Sequence, residues 1–250
     1  MSKKIAVAGK GGTGKTTFTS LVIRNLIKAG KKAILAVDAD PNSNLNEALG
    51  IEVEESIADI LDEVKSGGSI PAGMPKDVYV EYRLNQVLQE TDFVDLVVMG
   101  VPQGSGCYCY PNDLMRKYIG SLNDNYDYVI MDNEAGLEHL SRKVVEEIDI
   151  LFVISDSSAR GVRSAGRVRE IVDTLKLNVK DIYLVVTKSP AEGLSALEAE
   201  IQKTGLKLIG QVPFDPEVAQ KDLEGLPLVD MPETSLSVRA VQEIMDKVGL

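Results

Sequence analysis

Apolar residues along the chain gather into short runs rich in β-branched side chains, at 5–8, 33–37, 94–99, 128–131, 150–154, 182–186 and 206–209. Segments of helical period lie between them, at 15–28, 113–122, 162–174, 194–203 and 236–248. Runs that are apolar almost throughout, without polar alternation, suit strands covered on both faces. Seven such strands alternating with helices predict an α/β fold: one domain over 1–250, with a mostly parallel central sheet and helices on both faces. Three runs lead into an acid, Val37 into Asp38, Met131 into Asp132 and, after the run 150–154, Ser155 into Asp156. In an open α/β sheet ligands sit at the carboxyl ends of the strands, so these acids mark the functional edge. The least regular stretch, 66–76 (SGGSIPAGMPK), reads as a Gly/Pro-rich surface loop.

Composition narrows the classes. Of 250 residues, 44% are hydrophobic and 26% charged, as in a packed globular protein. With 27 Lys and Arg against 38 Asp and Glu, the net charge of −11 opposes a nucleic-acid partner, and no dense basic run offsets it. The apolar stretch near the start is too short for a signal peptide or a membrane span, so the expectation is a cytoplasmic protein without a membrane partner.

The first strand runs straight into Gly9, Lys10, Gly11, Gly12, Thr13, Gly14, Lys15, Thr16 and Thr17, which satisfies G-x-x-x-x-G-K-[ST] between a strand and a helix. Glycines let successive backbone N–H groups turn onto phosphate oxygens, because no Cβ blocks the approach. Lys15 is expected to reach the β- and γ-phosphates of ATP or ADP, and Thr16 to give its hydroxyl to Mg²⁺. The helix that starts there aims its positive end at the anion.

Two acidic segments follow. Asp38 and Asp40 stand at i and i+2 before Pro41-Asn42, a spacing that suits one carboxylate to Mg²⁺ and the other to an attacking water, although an acidic turn facing solvent would look the same. Asp132-Asn133-Glu134-Ala135-Gly136 reads D-x-x-x-G and resembles the Walker B and second-switch segment of the MinD/ParA/ArsA/nitrogenase-iron-protein superfamily. That likeness implies Asp132 at Mg²⁺ through water and Gly136 as the hinge of a loop that senses the γ-phosphate. The one histidine, His139, lies just behind and reads equally as a relay or as a structural hydrogen-bonding group.

Cys107 and Cys109 are the only cysteines, too close in sequence for an unstrained disulfide. On extended backbone both sulfurs face one side, where two thiolates make half of a Zn²⁺ or Ni²⁺ site. A second copy across a two-fold axis would complete it. Two idle thiols, or a redox pair, fit the same spacing.

Lys10 carries a resemblance further. K-G-G-x-G-K-[ST] resembles the deviant Walker A loop of the MinD/ParA/ArsA/nitrogenase-iron-protein superfamily, in the SIMIBI class of P-loop NTPases. That likeness implies that Lys10 reaches the phosphates across a dimer interface, that Asp40 acts on the water, and that Lys10, Lys15 and Asp40 carry hydrolysis with Asp38, Thr16 and Asp132 around Mg²⁺. Thr187-Lys188 ends a strand where the superfamily often has an adenine-binding Asn. Val212-Pro213-Phe214-Asp215-Pro216 resembles its base-packing loop, and ATP is favoured over GTP because no N-K-x-D stands here.

Together with C-x-C and the segment 132–142 (DNEAGLEHLSR), the chain resembles over essentially its full length the CooC/AcsF family of nickel-insertion ATPases. That likeness implies a homodimer that binds Ni²⁺ or Zn²⁺ through Cys107 and Cys109 of both copies. It also implies a client, carbon monoxide dehydrogenase or acetyl-CoA synthase, into which nickel is inserted. Two other classes stay in view. A MinD- or ParA-like positioning ATPase would call for a basic amphipathic membrane helix or a DNA-binding surface. An electron donor resembling the nitrogenase iron protein would draw its cysteines from separated segments.

Overall fold

The computed structural model describes residues 2–40, 44–65, 70–101, 117–120, 122, 125–135, 147–190 and 193–250. Its seven strands are β1 (Lys3–Gly9), β2 (Ile34–Ala39), β3 (Asp95–Val98), β4 (Tyr128–Ala135), β5 (Glu147–Asp156), β6 (Asn178–Ser189) and β7 (Lys207–Pro213). They form one sheet in the order β3-β2-β4-β1-β5-β6-β7, and every pairing is parallel. Each of the seven apolar runs overlaps one of these strands. β1 lies at the centre, between β4 and β5, so whatever leaves its carboxyl end emerges at the middle of the sheet edge.

The pleat splits the core in two. Ala6 and Ala8 of β1 join Leu35, Val37, Met131 and Val153 on one face, while Ile5 and Val7 join Ile34, Ala36, Ile130 and Phe152 on the other. This period-2 division, with both halves apolar, is why the strands read as continuous runs. The second face packs on α1 (Lys15–Lys28), where Phe18 meets Phe152 edge-on with ring centroids 5.1 Å apart. Burying two such aromatics fixes the helix against the sheet and contributes about 1 kcal/mol beyond area burial.

Further helices are α2 (Leu45–Leu49), α3 (Ile57–Lys65), α4 (Lys76–Leu84), α5 (Ala159–Leu175), α6 (Glu198–Lys203), α7 (Pro216–Glu224) and α8 (Leu236–Lys247). The period-based expectation matches α1 at both ends and α8 to within one residue. α5 starts earlier than 162 because Ser158 caps it, its hydroxyl accepting from Gly161 N. The expected helix 194–203 divides into a 3₁₀ turn at Ser195–Leu197 and α6. Of the expected 113–122, residues 117–120 and 122 are described and helical. Four helices, α2, α3, α4 and α7, have no counterpart in the periodic reading. Each spans nine residues or fewer, too short to show a repeating pattern. In the 66–76 stretch, 70–75 is coil and turn, and Lys76 already begins α4.

Candidate nucleotide site

The phosphate loop leaves β1 through Gly9, which pairs with Ile154 of β5. A Cβ at Gly9 would sit 2.3 Å from the Ile154 carbonyl oxygen, so a side chain is excluded by backbone contact. Gly12 (φ 75°) and Gly14 (φ 83°) take the left-handed conformation, and Gly14 is the residue from which α1 starts. Lys15 is 7% exposed and acts electrostatically on Asp132. Thr13 is buried, its hydroxyl turned back on the Lys10 carbonyl at 2.7 Å. Lys10 is exposed, and among the described residues its ammonium has no hydrogen-bond or ion-pair partner.

Beneath the loop two acids share a register position on adjacent parallel strands, Asp38 of β2 opposite Asp132 of β4. They are 0% and 1% exposed. Burial, with Asp132 alongside, pushes Asp38 up to about 7, although the Leu45 and Asp40 amides donate to its carboxylate at 3.0 and 3.1 Å. Burial likewise pushes Asp132 up to about 6, against the opposing pull of the Thr16 hydroxyl and Lys15. Thr16 Oγ1 donates to Asp132 Oδ2 at 2.6 Å. One hydroxyl and two mutually repelling carboxylates, all hard oxygen donors, fit a dication that would offset the buried negative charge. Asn133 sits next to them, fully buried, with Nδ2 donating to the Val7 carbonyl at 2.9 Å; this ties β4 to β1 below the loop.

A cavity of about 680 Å³ opens over this arrangement. Gly11, Gly12, Gly14, Lys15, Thr16, Thr17 and Asp40 line one end, and Thr187, Lys188, Pro213, Phe214 and Asp215 the other. Segments read separately as phosphate, water and base elements therefore border one space. Gly9, Lys10, Thr13, Asp38 and Asp132 are outside its lining. Sequence reasoning passed over the apolar wall of Phe18, Ala48, Val218 and Leu228, and the polar Asn44, Glu47 and Asp222. These come from α1, α2, α7 and nearby connections, and carry no motif.

Three residues expected at the base have other protein contacts. Thr187 Oγ1 donates to the Thr13 carbonyl at 2.6 Å, with the Ser155 carbonyl 3.1 Å away. Lys188 Nζ donates to the Gly12 carbonyl at 3.1 Å. Asp215 is buried and accepts from Glu217 N at 3.0 Å, Ser235 Oγ at 2.6 Å and Ser237 N at 2.9 Å. Burial raises its carboxyl, but these donors prevail and hold it below the ordinary value. Its carboxylate thus holds the starts of α7 and α8 while the residue borders the cavity.

Cys107, Cys109, Pro41, Asn42, Gly136 and His139 lie outside the described residues. Among the described residues no group of three or more His, Cys, Asp or Glu is placed to hold a metal ion. No described helix is long and apolar enough to cross a membrane.

The model of the CobQ/CobB/MinD/ParA nucleotide binding domain matches residues 4–228. An uncharacterised ATP-binding protein of Methanocaldococcus jannaschii is 44% identical over 247 residues, which cover 98% of this chain and 97% of its own. The carbon monoxide dehydrogenase accessory protein CooC of Rhodospirillum rubrum is 30% identical over 243 residues, 91% of this chain and 90% of its own. The cell division ATPase MinD of Pyrococcus furiosus has the same fold, with a TM-score of 0.73 at 21% identity over 100% of this chain and 99% of that one. The chain belongs to the CobQ/CobB/MinD/ParA nucleotide-binding family and is a P-loop ATPase.

Proposed function

We propose that this ATPase works as a homodimer that carries Ni²⁺ or Zn²⁺ and assists nickel insertion into carbon monoxide dehydrogenase or acetyl-CoA synthase. The observation that carries this reading is the 30% identity to CooC along nearly the whole chain, together with C-x-C at Cys107 and Cys109. Two thiolates from each copy give the four soft donors that such a cargo needs. Thiols kept free for metal suit a reducing cytoplasm.

ATP supplies the switch. Lys15 and the loop amides hold the phosphates, Asp40 orients the water, and Lys10 reaches the phosphates of the second copy. Mg²⁺, held by Thr16, Asp132 and Asp38, would screen the phosphate charge. Metal and ATP both favour the closed dimer, and hydrolysis reopens it, so each ligand strengthens binding of the other.

A positioning ATPase of the MinD type is less favoured. In α8, Val238, Val241, Ile244 and Met245 are buried in the core and of its large apolar residues Leu236 alone is exposed, so this helix presents no continuous apolar face to a lipid surface.

Metal analysis of protein purified without a histidine tag, and sizing with ADP, ATP and Ni²⁺, test the reading together. Expected are about one metal per two chains and an ATP- and Ni²⁺-dependent dimer. Cys107→Ser with Cys109→Ser should lose the metal and keep ADP binding. Nickel retained by that double variant, or a monomer under every condition, would overturn the proposal.

A further inference from the structure

Lys188 stands at an unusual place. Among the described residues it is one of three non-glycine residues with positive φ, at 50°, and it lies where the pairing of β6 with β7 shifts register between Thr187 and Ser189, as it also does earlier between Leu184 and Val185. L side chains adopt this conformation at a cost, and such a residue persists only where its surroundings demand it. Here the surroundings are visible. The Ser157 hydroxyl donates to the Lys188 carbonyl at 2.9 Å, and the side chain reaches across to donate to the Gly12 carbonyl at 3.1 Å. Its neighbour Thr187, buried, donates to the next carbonyl of the loop, that of Thr13, at 2.6 Å. A Cβ placed on Gly14 would meet the Thr187 hydroxyl at 3.9 Å, so that hydroxyl lies directly against the loop.

We propose that Lys188, with Thr187, is a positioning residue of the phosphate loop and not a reader of the base. The two residues tie down two consecutive loop carbonyls from the end of β6. In a planar trans peptide the carbonyl and the following N–H point in opposite directions. Drawing the Thr13 carbonyl onto β6 therefore turns the Gly14 N–H away from that strand, and holding the Gly12 carbonyl restrains the peptide before it. The loop is thus pre-shaped for an anion before one arrives, and the ordering it would otherwise undergo on binding is reduced. The inference rests on the family assignment as an ATPase and is independent of the nickel reading.

The test separates phosphate from base by using a ligand that has no base. Binding of ADP and of inorganic pyrophosphate is measured for the wild type, Lys188→Asn and Lys188→Arg. Asn tolerates the left-handed backbone but lacks the ammonium, so the fold is kept while the hydrogen bond goes. Lys188→Asn should weaken ADP and pyrophosphate by the same factor, about five- to tenfold, as expected for loss of one charged hydrogen bond at an exposed site. The KM for ATP should rise while kcat at saturation moves less, Lys188→Arg should restore most of the affinity, and the thermal midpoint of the ligand-free protein should not fall. Pyrophosphate binding equal to wild type in Lys188→Asn overturns the proposal. If ADP alone weakens, Lys188 reads the base; if neither weakens, the contact has no part in binding.

Discussion

Thr16 Oγ1 donates to Asp132 Oδ2 across 2.6 Å and so ties the first turn of α1 to the end of β4. The hydroxyl and the carboxylate, assigned to one cation from two separate motifs, are in direct contact. Asp38 completes the group from the neighbouring strand. A cation bound there would have to overcome the cost of two buried carboxyls whose charged forms are disfavoured until a positive charge joins them.

That burial gives stability a definite pH dependence. Asp38 is raised to about 7 and Asp132 to about 6, both above the ordinary 3.8, so the folded chain keeps protons that the unfolded chain releases. Their contribution is therefore complete below about pH 4 and is lost as pH rises through about 6 and 7. The melting temperature of Mg²⁺-free protein should fall between about pH 5 and pH 8. In Asp132→Asn the amide can still accept from Thr16, the slope should shrink, and stability above pH 7 should rise by up to about 3 kcal/mol. ATP hydrolysis by the same variant should drop about a hundredfold or more. Identical melting profiles for the two proteins would contradict this account.

Gly9→Ala and Gly12→Ala should fail for different reasons. A Cβ at Gly9 meets the Ile154 carbonyl at 2.3 Å in the middle of the sheet, so strands must part. We expect a loss of about 2–3 kcal/mol, or roughly 5–10 °C in melting temperature. At Gly12 nothing lies within 4 Å of the added carbon, and only the left-handed φ of 75° resists. About 1–2 kcal/mol is expected there, and thermal melting of the two variants side by side decides it.

Asp215→Ala should act as a structural lesion. The carboxylate serves Glu217 N and, through Ser235 and Ser237, the start of α8, so removal strips caps from two helices. A loss of about 2–4 kcal/mol is expected, with the ratio of ATP to GTP affinity unchanged. An altered ratio without destabilisation would assign the residue to base recognition instead.

Lys10→Ala should separate binding from turnover. Lys10 is exposed, outside the cavity lining, and unpartnered among the described residues. Stability should shift by less than about 0.5 kcal/mol and ADP affinity should stay near wild type. If the ammonium acts on the second copy, hydrolysis should fall by about two orders of magnitude. Full activity in Lys10→Ala, measured at concentrations where the wild type dimerises, would remove the trans role.

Much of this protein is local and could be read before any coordinates. Strands buried on both faces leave continuous apolar runs, and a phosphate loop needs glycines and a lysine at fixed spacing because its geometry is made by a few adjacent residues. The short helices were harder to read, though α3 had a signal: Ser56 and Asp59 form an S-x-x-D cap, with Asp59 accepting from Ser56 N at 2.8 Å. α7 was equally hidden, since Asp215-Pro216, read as a base loop, is a capping aspartate followed by proline at the first helical turn.

The sequence by itself determined the fold class, the strands, the phosphate loop and the acids at strand ends, because each depends on neighbours in the chain. The tertiary structure decided which of those ends meet. Strand order put Asp38 beside Asp132, with β1 and its loop at the centre of the sheet. It also brought Thr187 and Lys188 beneath a loop from which they are separated by 174 and 176 residues. Parallel strands pair through crossovers whose order leaves no mark on local hydrophobic pattern, so those relationships arise only when the sheet is assembled.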